Sequence, residues 1–339
     1  MTDLAAADMA AAQTTGTRES RELELRLEQH RGELTGYCYR MLGSAFEAQD
    51  AVQETLLRAW RGFDRFDGRA ALRSWLYSIA TNVCLDLLNG RERRARPMDL
   101  GPAREPDAAN LSALPEATWI QPMPDSRVVP DGDPAEVAVA RETIRLAFVA
   151  ALQHLPPRQR AALILCEVLR WKASEVAELL DTSVASVNSA LQRARATLDA
   201  ANVTAADTAS SLDEVDSAML ARYVEAFERY DMDALTALIH EDATQSMPPY
   251  DLWLRGREDI LRWWVGPGAA CRGSRVIPTI AANGAPAFGQ YKPSPTGEGY
   301  DPWALQVLEI SDGRIVEFTF FLDTETVFPL FGLPARLGS

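Results

Sequence analysis

The sequence predicts a multidomain protein with two all-α domains, the second built on a helix-turn-helix, followed by an α+β domain shaped like a cone. Residues 22–96 and 136–203 carry apolar side chains at helical spacing. Residues 97–135 between them are rich in proline, alanine and acidic residues without a periodic apolar pattern, which predicts a linker. Residues 212–337 begin with helical patterns and continue as glycine-, proline- and aromatic-rich segments with alternating strands.

Composition limits the classes of protein. The 339 residues are enough for two or three domains, and the 47% hydrophobic fraction allows sizeable cores. No segment approaches the roughly 20 apolar residues of a membrane span, so no membrane contact is expected. Residues 1–21 lack a basic start and an apolar run, which predicts a disordered N-terminus rather than a secretory signal. The four cysteines are far apart, which predicts a cytoplasmic protein without disulfides, metal or cofactor.

The net charge of −14 argues against indiscriminate binding to nucleic acid, because duplex DNA repels an acidic body. The charge is unevenly distributed, however. Residues 58–96 are strongly basic, whereas the linker and the last third of the chain are acidic. This asymmetry predicts that any contact with DNA is gated, or that another protein delivers the chain to DNA.

The second predicted helix of the first domain has an unusual outer face. A large aromatic side chain and a leucine lie on an otherwise polar surface, which favours a contact with another protein. We call this the Trp60 face, and it comprises Asp50, Gln53, Glu54, Leu57 and Trp60.

The third predicted helix, residues 75–94, ends in a run of arginines. Its non-core positions include Trp75, Tyr77 and Asn82, and the run contains Arg91, Arg93 and Arg94. Arginines at a helix C-terminus complement the helix dipole, which is one explanation. Aromatic rings beside guanidinium groups also suit single-stranded DNA, because bases stack on the rings and phosphates pair with the arginines. Composition leaves both explanations open.

The helix-turn-helix is predicted from residues 155–198. Two short helical patterns are separated by a polar turn, in which Ser183 is placed to cap the second helix. The polar face of that helix, which we call the recognition face, comprises Ser186, Asn188, Ser189, Gln192, Arg193 and Arg195. A solvated helical hairpin is the alternative, but residues 184–198 contain no acidic side chain, which favours binding in the major groove.

Two further features lie outside the helical domains. The linker contains an apolar patch, Trp119, Ile120, Pro122 and Met123, which either anchors the linker in a pocket or is a set of stray hydrophobic residues. The C-terminal domain contains an Asp312-Gly313 dipeptide between alternating segments, which predicts a β-hairpin. Its candidate pocket residues are His240, Asp242, Tyr250, Trp253, Trp263, Trp264, Trp303 and Asp323.

Catalysis in such a pocket would need an aspartate or histidine base tuned by an apolar cavity. No Asp/His/Arg constellation is recognisable in the sequence. A regulatory cavity that binds a small molecule is therefore favoured over an enzyme.

Three ordered segments carry a family resemblance: DAVQETLLRAW, RSWLYSIATNVCLDLLNGRERR and LPPRQRAALILCEV followed by VNSALQRARATL. They resemble the extracytoplasmic-function (ECF) sigma factors of the sigma-70 family over residues 22–96 and 136–200. The resemblance implies two small helical domains. The first binds core RNA polymerase and the unpaired −10 promoter element, and the second binds the −35 element as duplex.

Carried over by position, the Trp60 face would bind core polymerase and the recognition face would contact the −35 element. The −10 strand would be handled by Phe66, Arg69, Trp75, Tyr77 and Asn82, with Arg91, Arg93 and Arg94 on phosphates. The family commonly has basic residues where this chain has Asn188 and Ala190. This departure predicts weaker phosphate contact or altered −35 specificity.

The C-terminal domain resembles the SnoaL-like branch of the NTF2-like fold through YDMDAL, LIHEDATQSMPP and DGRIVEF. The whole layout resembles ECF factors of the sigma-J and sigma-G types. The resemblance implies that the SnoaL-like domain packs on both sigma domains and restrains them, with the linker patch as a tether. Two other classes stay open: a one-component DNA-binding regulator worked by a ligand pocket, and a cyclase- or isomerase-like enzyme fused to a DNA-binding module.

Overall fold

A computed structural model describes residues 21–66, 68, 71–130, 133–200 and 214–338. The N-terminal residues 1–20, expected to be disordered, and Arg69, expected to contact the −10 strand, lie outside the described residues. Among the described helices, none combines the length and the apolarity needed to cross a bilayer.

The first domain is a helical bundle. Gly43 ends one helix with a φ of +70°, and the Ser44 hydroxyl then caps the next by accepting a hydrogen bond from Glu47 N at 3.2 Å. The helices are α1 (residues 21–28), α2 (Arg31–Leu42), α3 (Ala45–Gly62) and α4 (Leu72–Leu88).

The third predicted helix extended to residue 94, but α4 ends at Leu88. Gly90 has a φ of +71°, a conformation that cannot continue a right-handed helix. The arginine run therefore follows the helix as non-helical chain. The helix dipole consequently does not explain these arginines.

The second domain contains the predicted helix-turn-helix. The Ser183 cap is confirmed, because its hydroxyl accepts a hydrogen bond from Ser186 N at 3.1 Å. The helices are α5 (Pro134–Glu142), α6 (Leu146–Gln153), α7 (Pro157–Leu163, continued by a π-helical turn Ile164–Val168), α8 (Ala173–Leu179) and α9 (Val184–Ala200).

The C-terminal domain is an α+β cone around a six-stranded sheet. Its elements are α10 (Glu214–Arg229), α11 (Met232–Leu238), β1 (Ile239–Ser246), β2 (Trp253–Arg255), α12 (Arg257–Val265), β3 (Arg275–Pro278), β4 (Ala287–Pro293), β5 (Tyr300–Ser311), β6 (Arg314–Phe321) and α13 (Thr324–Leu330).

The predicted hairpin at Asp312-Gly313 is confirmed. Both residues have positive φ, +51° and +69°, and they join the antiparallel strands β5 and β6. The sheet is mixed, because β1 and β6 pair in parallel whereas the other neighbouring strands are antiparallel. Elements β2 to β5 intervene between these two strands, so the chain has room to return in the same direction.

The sheet is apolar on both faces, and this places the domain against the rest of the molecule. Ala304 and Leu308 of β5 point into the core of the cone. Leu305 and Val307, on the other face of the same strand, join a second core shared with both helical domains and the linker. Residues i and i+2 of a strand share a face, so this division follows from the strand period.

The linker is ordered along its described part. Among the residues described, it forms short 3₁₀ turns and no α-helix before α5 begins at Pro134. Isolated β-bridges join Ala95 to Trp119, Ala113 to Tyr250 and Pro124 to Ala282. The linker therefore packs between the helical domains and the cone instead of hanging free.

Candidate functional site

The Trp60 face lies on the outside of α3. Asp50 and Gln53 are exposed, Leu57 is half-buried and Trp60 is 50% exposed. Glu54 pairs with Arg58 at 2.7 Å. In the described structure half of the Trp60 side chain stays exposed, so this face is accessible to a partner.

An aromatic cluster lies beside a groove of about 360 Å³ in the first domain. Phe66 stacks on Trp75 with ring centroids 4.9 Å apart. Trp75 and Asn82 line the groove together with Arg58 and Arg65, which sequence reasoning did not single out. Rings and guanidinium groups around one groove are the combination that an unstacked base with its phosphate requires.

Tyr77 does not lie on this groove. Its ring is fully buried, 5.1 Å from the ring of Trp171, which belongs to the second domain. The Arg73 guanidinium lies over both rings, and the Tyr77 hydroxyl donates to Glu33 Oε2 at 3.2 Å. Burial is the main cause that raises the pKa of Tyr77. Tyr77 is therefore not accessible in this arrangement, and its contact with the −10 strand stays a prediction.

The arginine run is partly engaged by other groups. Arg91 is exposed and pairs with Glu47 at 2.5 Å, and Arg93 lies 3.0 Å from His154 Nε2. Arg94 is only 6% exposed and donates to Trp119 O at 2.7 Å. Arg94 is therefore not available to a phosphate in this arrangement, since the linker lies over it.

The recognition face lies on α9 and all six of its residues are exposed. Arg195 pairs with Glu167, and the Ser186 hydroxyl lies 2.9 Å from that of Ser183. The apolar residues Val187 and Leu191 turn the opposite side of α9 into the core. The helix thus presents a continuous polar and basic surface outward.

The two helical domains contact each other through buried arginines. Arg40 of α2 donates to Thr143 Oγ1 at 2.7 Å and to Thr143 O at 3.1 Å. Arg160 of α7 donates to Met41 O, to Gln153 Oε1 at 2.6 Å and to Leu155 O at 3.1 Å. Burial lowers the pKa of both arginines to about 10, so both remain charged at neutral pH.

One side chain of the cone joins four parts of the chain. Asn283, in the loop between β3 and β4, is fully buried with a φ of +55°. Its Nδ2 donates to Tyr39 Oη and to Ile144 O, both at 2.6 Å, and its Oδ1 accepts from Met123 N at 2.9 Å. The sequence signal was the Asn283-Gly284 pair, which indicates a turn but not its contacts.

The linker patch is buried, and Ile120 and Met123 belong to the shared core. Trp119, Ile120, Pro122 and Met123 are all buried. The backbone between them is held by the first domain, because Gln121 N donates to Gly43 O at 3.0 Å and Tyr39 Oη donates to Gln121 O at 2.8 Å. The patch is thus packed against other elements along its whole length.

The cone encloses a cavity of about 720 Å³. Five of the residues predicted to line a pocket do line this cavity: Tyr250, Trp263, Trp264, Trp303 and Asp323.

Three nominated residues do not line the cavity. The ring of His240, at the start of β1, accepts a hydrogen bond from Asp242 N at 3.1 Å, and neither residue reaches the cavity. The Trp253 indole donates instead to Gly101 O at 2.8 Å, because the linker covers the edge strand β2. Among the described residues that line the cavity, Asp323 is the one carboxylate and no histidine is present.

Linker residues 101–114, which we call the strap, lie along the cone beside this cavity. Backbone hydrogen bonds join Leu114 N to Pro249 O, Asp251 N to Ser112 O and Arg104 N to Trp253 O at 3.0–3.1 Å. Within the strap, Ala108 and Leu111 line the cavity. An occupant of the cavity would therefore touch the segment that connects the two helical domains.

Comparison with protein-family models divides the chain in three. Residues 27–94 match Sigma-70 region 2, residues 145–198 match Sigma-70 region 4, and residues 220–318 match the SnoaL-like domain.

Two curated relatives share this layout. The chain is 45% identical over 313 residues to the ECF RNA polymerase sigma factor SigG of Mycobacterium tuberculosis, covering 91% of this chain and 83% of the relative. It is 28% identical to SigJ of the same organism, covering 71% and 70%. The crystal structure of Mycobacterium tuberculosis SigJ matches with a TM-score of 0.57 at 23% identity, over 93% of this chain and 99% of that one, and so shares the fold.

Proposed function

The chain belongs to the extracytoplasmic-function sigma factors of RNA polymerase that carry a SnoaL-like C-terminal domain, and from this premise we propose how its surfaces divide the work. It directs core RNA polymerase to specific promoters and starts transcription there. The SnoaL-like domain and the linker regulate this activity by holding both sigma domains in a closed state. We call the arrangement in which the linker and the cone pack on both helical domains the closed state.

The Trp60 face is the proposed contact with core polymerase. The observation that carries this assignment is an indole that stays 50% exposed on a helix whose other side is packed in the core. Isolated exposed tryptophans of this kind are characteristic anchors of protein interfaces. The acidic residues around it give the face a charge that suits a basic partner surface.

The recognition face is the proposed contact with the −35 element. Asn188, Gln192 and Arg193 supply the amide and guanidinium groups that bond base edges in the major groove. Phe66, Trp75, Asn82, Arg91 and Arg93, together with Arg69, are the proposed contacts with the −10 strand. Arg58 and Arg65 join this set because they border the same groove.

Two of the residues predicted to contact the −10 strand are covered in the closed state, which supports the proposal that the closed state is inhibited. Tyr77 is covered by Trp171 of the second domain, and Arg94 is covered by Trp119 of the linker. A −10 strand that used these two side chains would have to displace both covers. Opening therefore has to accompany promoter melting, whereas the Trp60 face is already accessible. Polymerase binding can thus come first and opening second.

The direct test adds the purified chain to core polymerase that lacks sigma factors and measures RNA started at defined sites. Start-site-specific RNA supports the proposal. If no such RNA is made, the sigma proposal fails and the one-component regulator becomes the better explanation. Turnover of a ketone or epoxide substrate by the chain would instead favour the enzyme. No arrangement in the cavity favours either rival over the sigma factor.

Trp60→Ala is expected to weaken binding to core polymerase about 30-fold, because truncation of an interface tryptophan costs about 2 kcal/mol. The measurement is a binding titration of the labelled chain with core polymerase. Val265→Ala, which trims an exposed apolar residue at the end of α12, is the matched control and should bind as the wild type does. Equal affinity of the two variants would contradict the assignment of this face.

Arg193→Ala is expected to reduce promoter binding by the polymerase complex about tenfold and to relax its preference for the −35 sequence. Filter binding to promoters with altered −35 bases measures both effects. Arg229→Ala removes an exposed arginine from α10 of the cone and serves as the charge-matched control. A uniform loss on every −35 sequence would show a phosphate contact instead of a base contact.

A further inference from the structure

Aromatic rings form one wall of the cavity of the cone, and its volume of about 720 Å³ falls within the range of small-molecule sites. The rings include Phe227, Trp263, Trp264 and Phe320. Flat apolar walls of this kind favour an occupant with an aromatic or otherwise planar body.

Lys292 supplies a positive charge to this cavity. Lys292 lies on β4, and its Nζ is 3.1 Å from the ring centroid of Trp303. The sequence contains two lysines, Lys172 and Lys292, and arginine supplies the rest of the positive side-chain charge. Among the described residues, no carboxylate oxygen lies within 4.0 Å of Lys292 Nζ.

The neighbouring thiol of Cys271 does not neutralise this lysine. Cys271 also lines the cavity, and burial raises the pKa of its thiol, which is therefore uncharged at neutral pH. Burial lowers the pKa of Lys292, and the neighbouring Cys271 opposes that shift. A partly desolvated ammonium without a counter-ion is stabilised by any anion that can reach it.

The two glutamines and the one carboxylate among the described lining residues already have hydrogen-bond partners. Gln245 Oε1 accepts from Trp264 Nε1 at 2.7 Å, and Gln290 bonds to Ser274 Oγ and Gln306 Nε2 at 3.1 and 3.0 Å. The carboxylate of Asp323 is exposed and accepts from Thr326 Oγ1 at 2.6 Å. Lys292 is therefore the charge that an occupant would pair with.

We propose that the cavity binds an organic monoanion with a flat apolar body, whose anionic group pairs with Lys292 and whose body packs between the tryptophan rings and the strap. A carboxylate or sulfonate satisfies this chemistry equally. Binding itself does not depend on the proposed sigma function. The effect of the occupant on promoter output does rest on it, because the occupant contacts Ala108 and Leu111 of the strap.

The test measures calorimetric binding of three matched probes to the full chain at pH 7: 2-naphthoate, its neutral amide and 2-naphthylmethylammonium. The anion is expected to bind at least about tenfold more tightly than the amide, because its carboxylate can pair with the Lys292 ammonium whereas the amide carries no charge. Equal affinity of anion and amide would overturn the proposal. Tightest binding by the ammonium probe would overturn it in favour of Asp323.

Substitutions at the two lysines complete the test. Lys292→Met should abolish the preference for 2-naphthoate while leaving the affinity for the amide unchanged, and Lys172→Met should change neither. Reductive ¹³C-methylation labels only these lysines and the N-terminus, so the Lys292 signal should shift on addition of 2-naphthoate; an unmoved signal would overturn the proposal. Transcription by Lys292→Met with core polymerase is a separate readout, and its loss would bear on the sigma function rather than on the ligand.

Discussion

Asn283→Gly is expected to open the closed state and to raise promoter output when core polymerase is limiting. Glycine keeps the positive φ of this position but removes three buried hydrogen bonds, to Tyr39, Ile144 and Met123. Tyr39 keeps its bond to Gln121 O, so the carbonyl of Ile144 and the N–H of Met123 lose their partners. We expect the docked arrangement to lose about 4 kcal/mol, since each orphaned buried group costs about 1–3 kcal/mol.

Small-angle scattering measures the opening as an increase in the radius of gyration, and start-site-specific RNA measures the output. The matched control is Asp312→Gly, which makes the same kind of change at a positive φ in the exposed β5–β6 turn. Far-UV circular dichroism of both variants separates opening from unfolding, because opening preserves helix content. If Asn283→Gly has the same radius of gyration and the same promoter output as Asp312→Gly, the closed-state proposal is contradicted.

Local structure was predictable wherever local rules determine it. The Ser183 cap and the Asp312-Gly313 hairpin follow from the chemistry of a few neighbouring residues, and both are present. The two-sided sheet was visible only in part. In β5, residues 304 and 308 face one core while residues 305 and 307 face another. A nearly continuous apolar strand indicates burial on both faces.

Contacts between domains were not predictable from the sequence, and the −10 candidates illustrate why. Tyr77 and Arg94 have the residue types that suit the −10 strand, but Tyr77 packs against Trp171 and Arg94 donates to Trp119 O, and these partners lie many residues away in the chain. Lys292 was missed because a single lysine in a strand carries no local signal. Its significance appears only when the cavity and its missing counter-ion are known.

The contact between the cone and the second domain contains a carboxyl group that gives the closed state a pH dependence. Glu309 of β5 faces the second domain, where its Oε2 lies 3.2 Å from Arg145 Nη2. Burial raises the pKa of Glu309 from its ordinary value near 4.5 to about 7, and Glu317 and Asp125 add to the rise while Arg145 and Arg96 oppose it. The closed state therefore holds a proton on Glu309 at pH values where an opened chain would have released it.

The sign of the effect follows from this difference. Below about pH 4.5 Glu309 is protonated in both states, so it does not favour opening. As the pH rises through the window from about 4.5 to about 7, the opened chain gives up the proton more readily, and the closed state loses about 3 kcal/mol in total. Above this window the loss is complete and does not grow further.

Glu309→Gln, which cannot ionise, is therefore expected to be more stable than the wild type by up to about 3 kcal/mol at pH 8, with the difference shrinking as the pH falls toward 5. Urea midpoints measured between pH 5 and pH 8 test this. Glu298→Gln, an exposed position in the β4–β5 loop, is the control and should follow the wild-type curve throughout. Parallel curves for wild type and Glu309→Gln would show that this carboxyl group does not couple protons to closure. Converging curves would make pH one of the variables that set how readily the sigma domains are released.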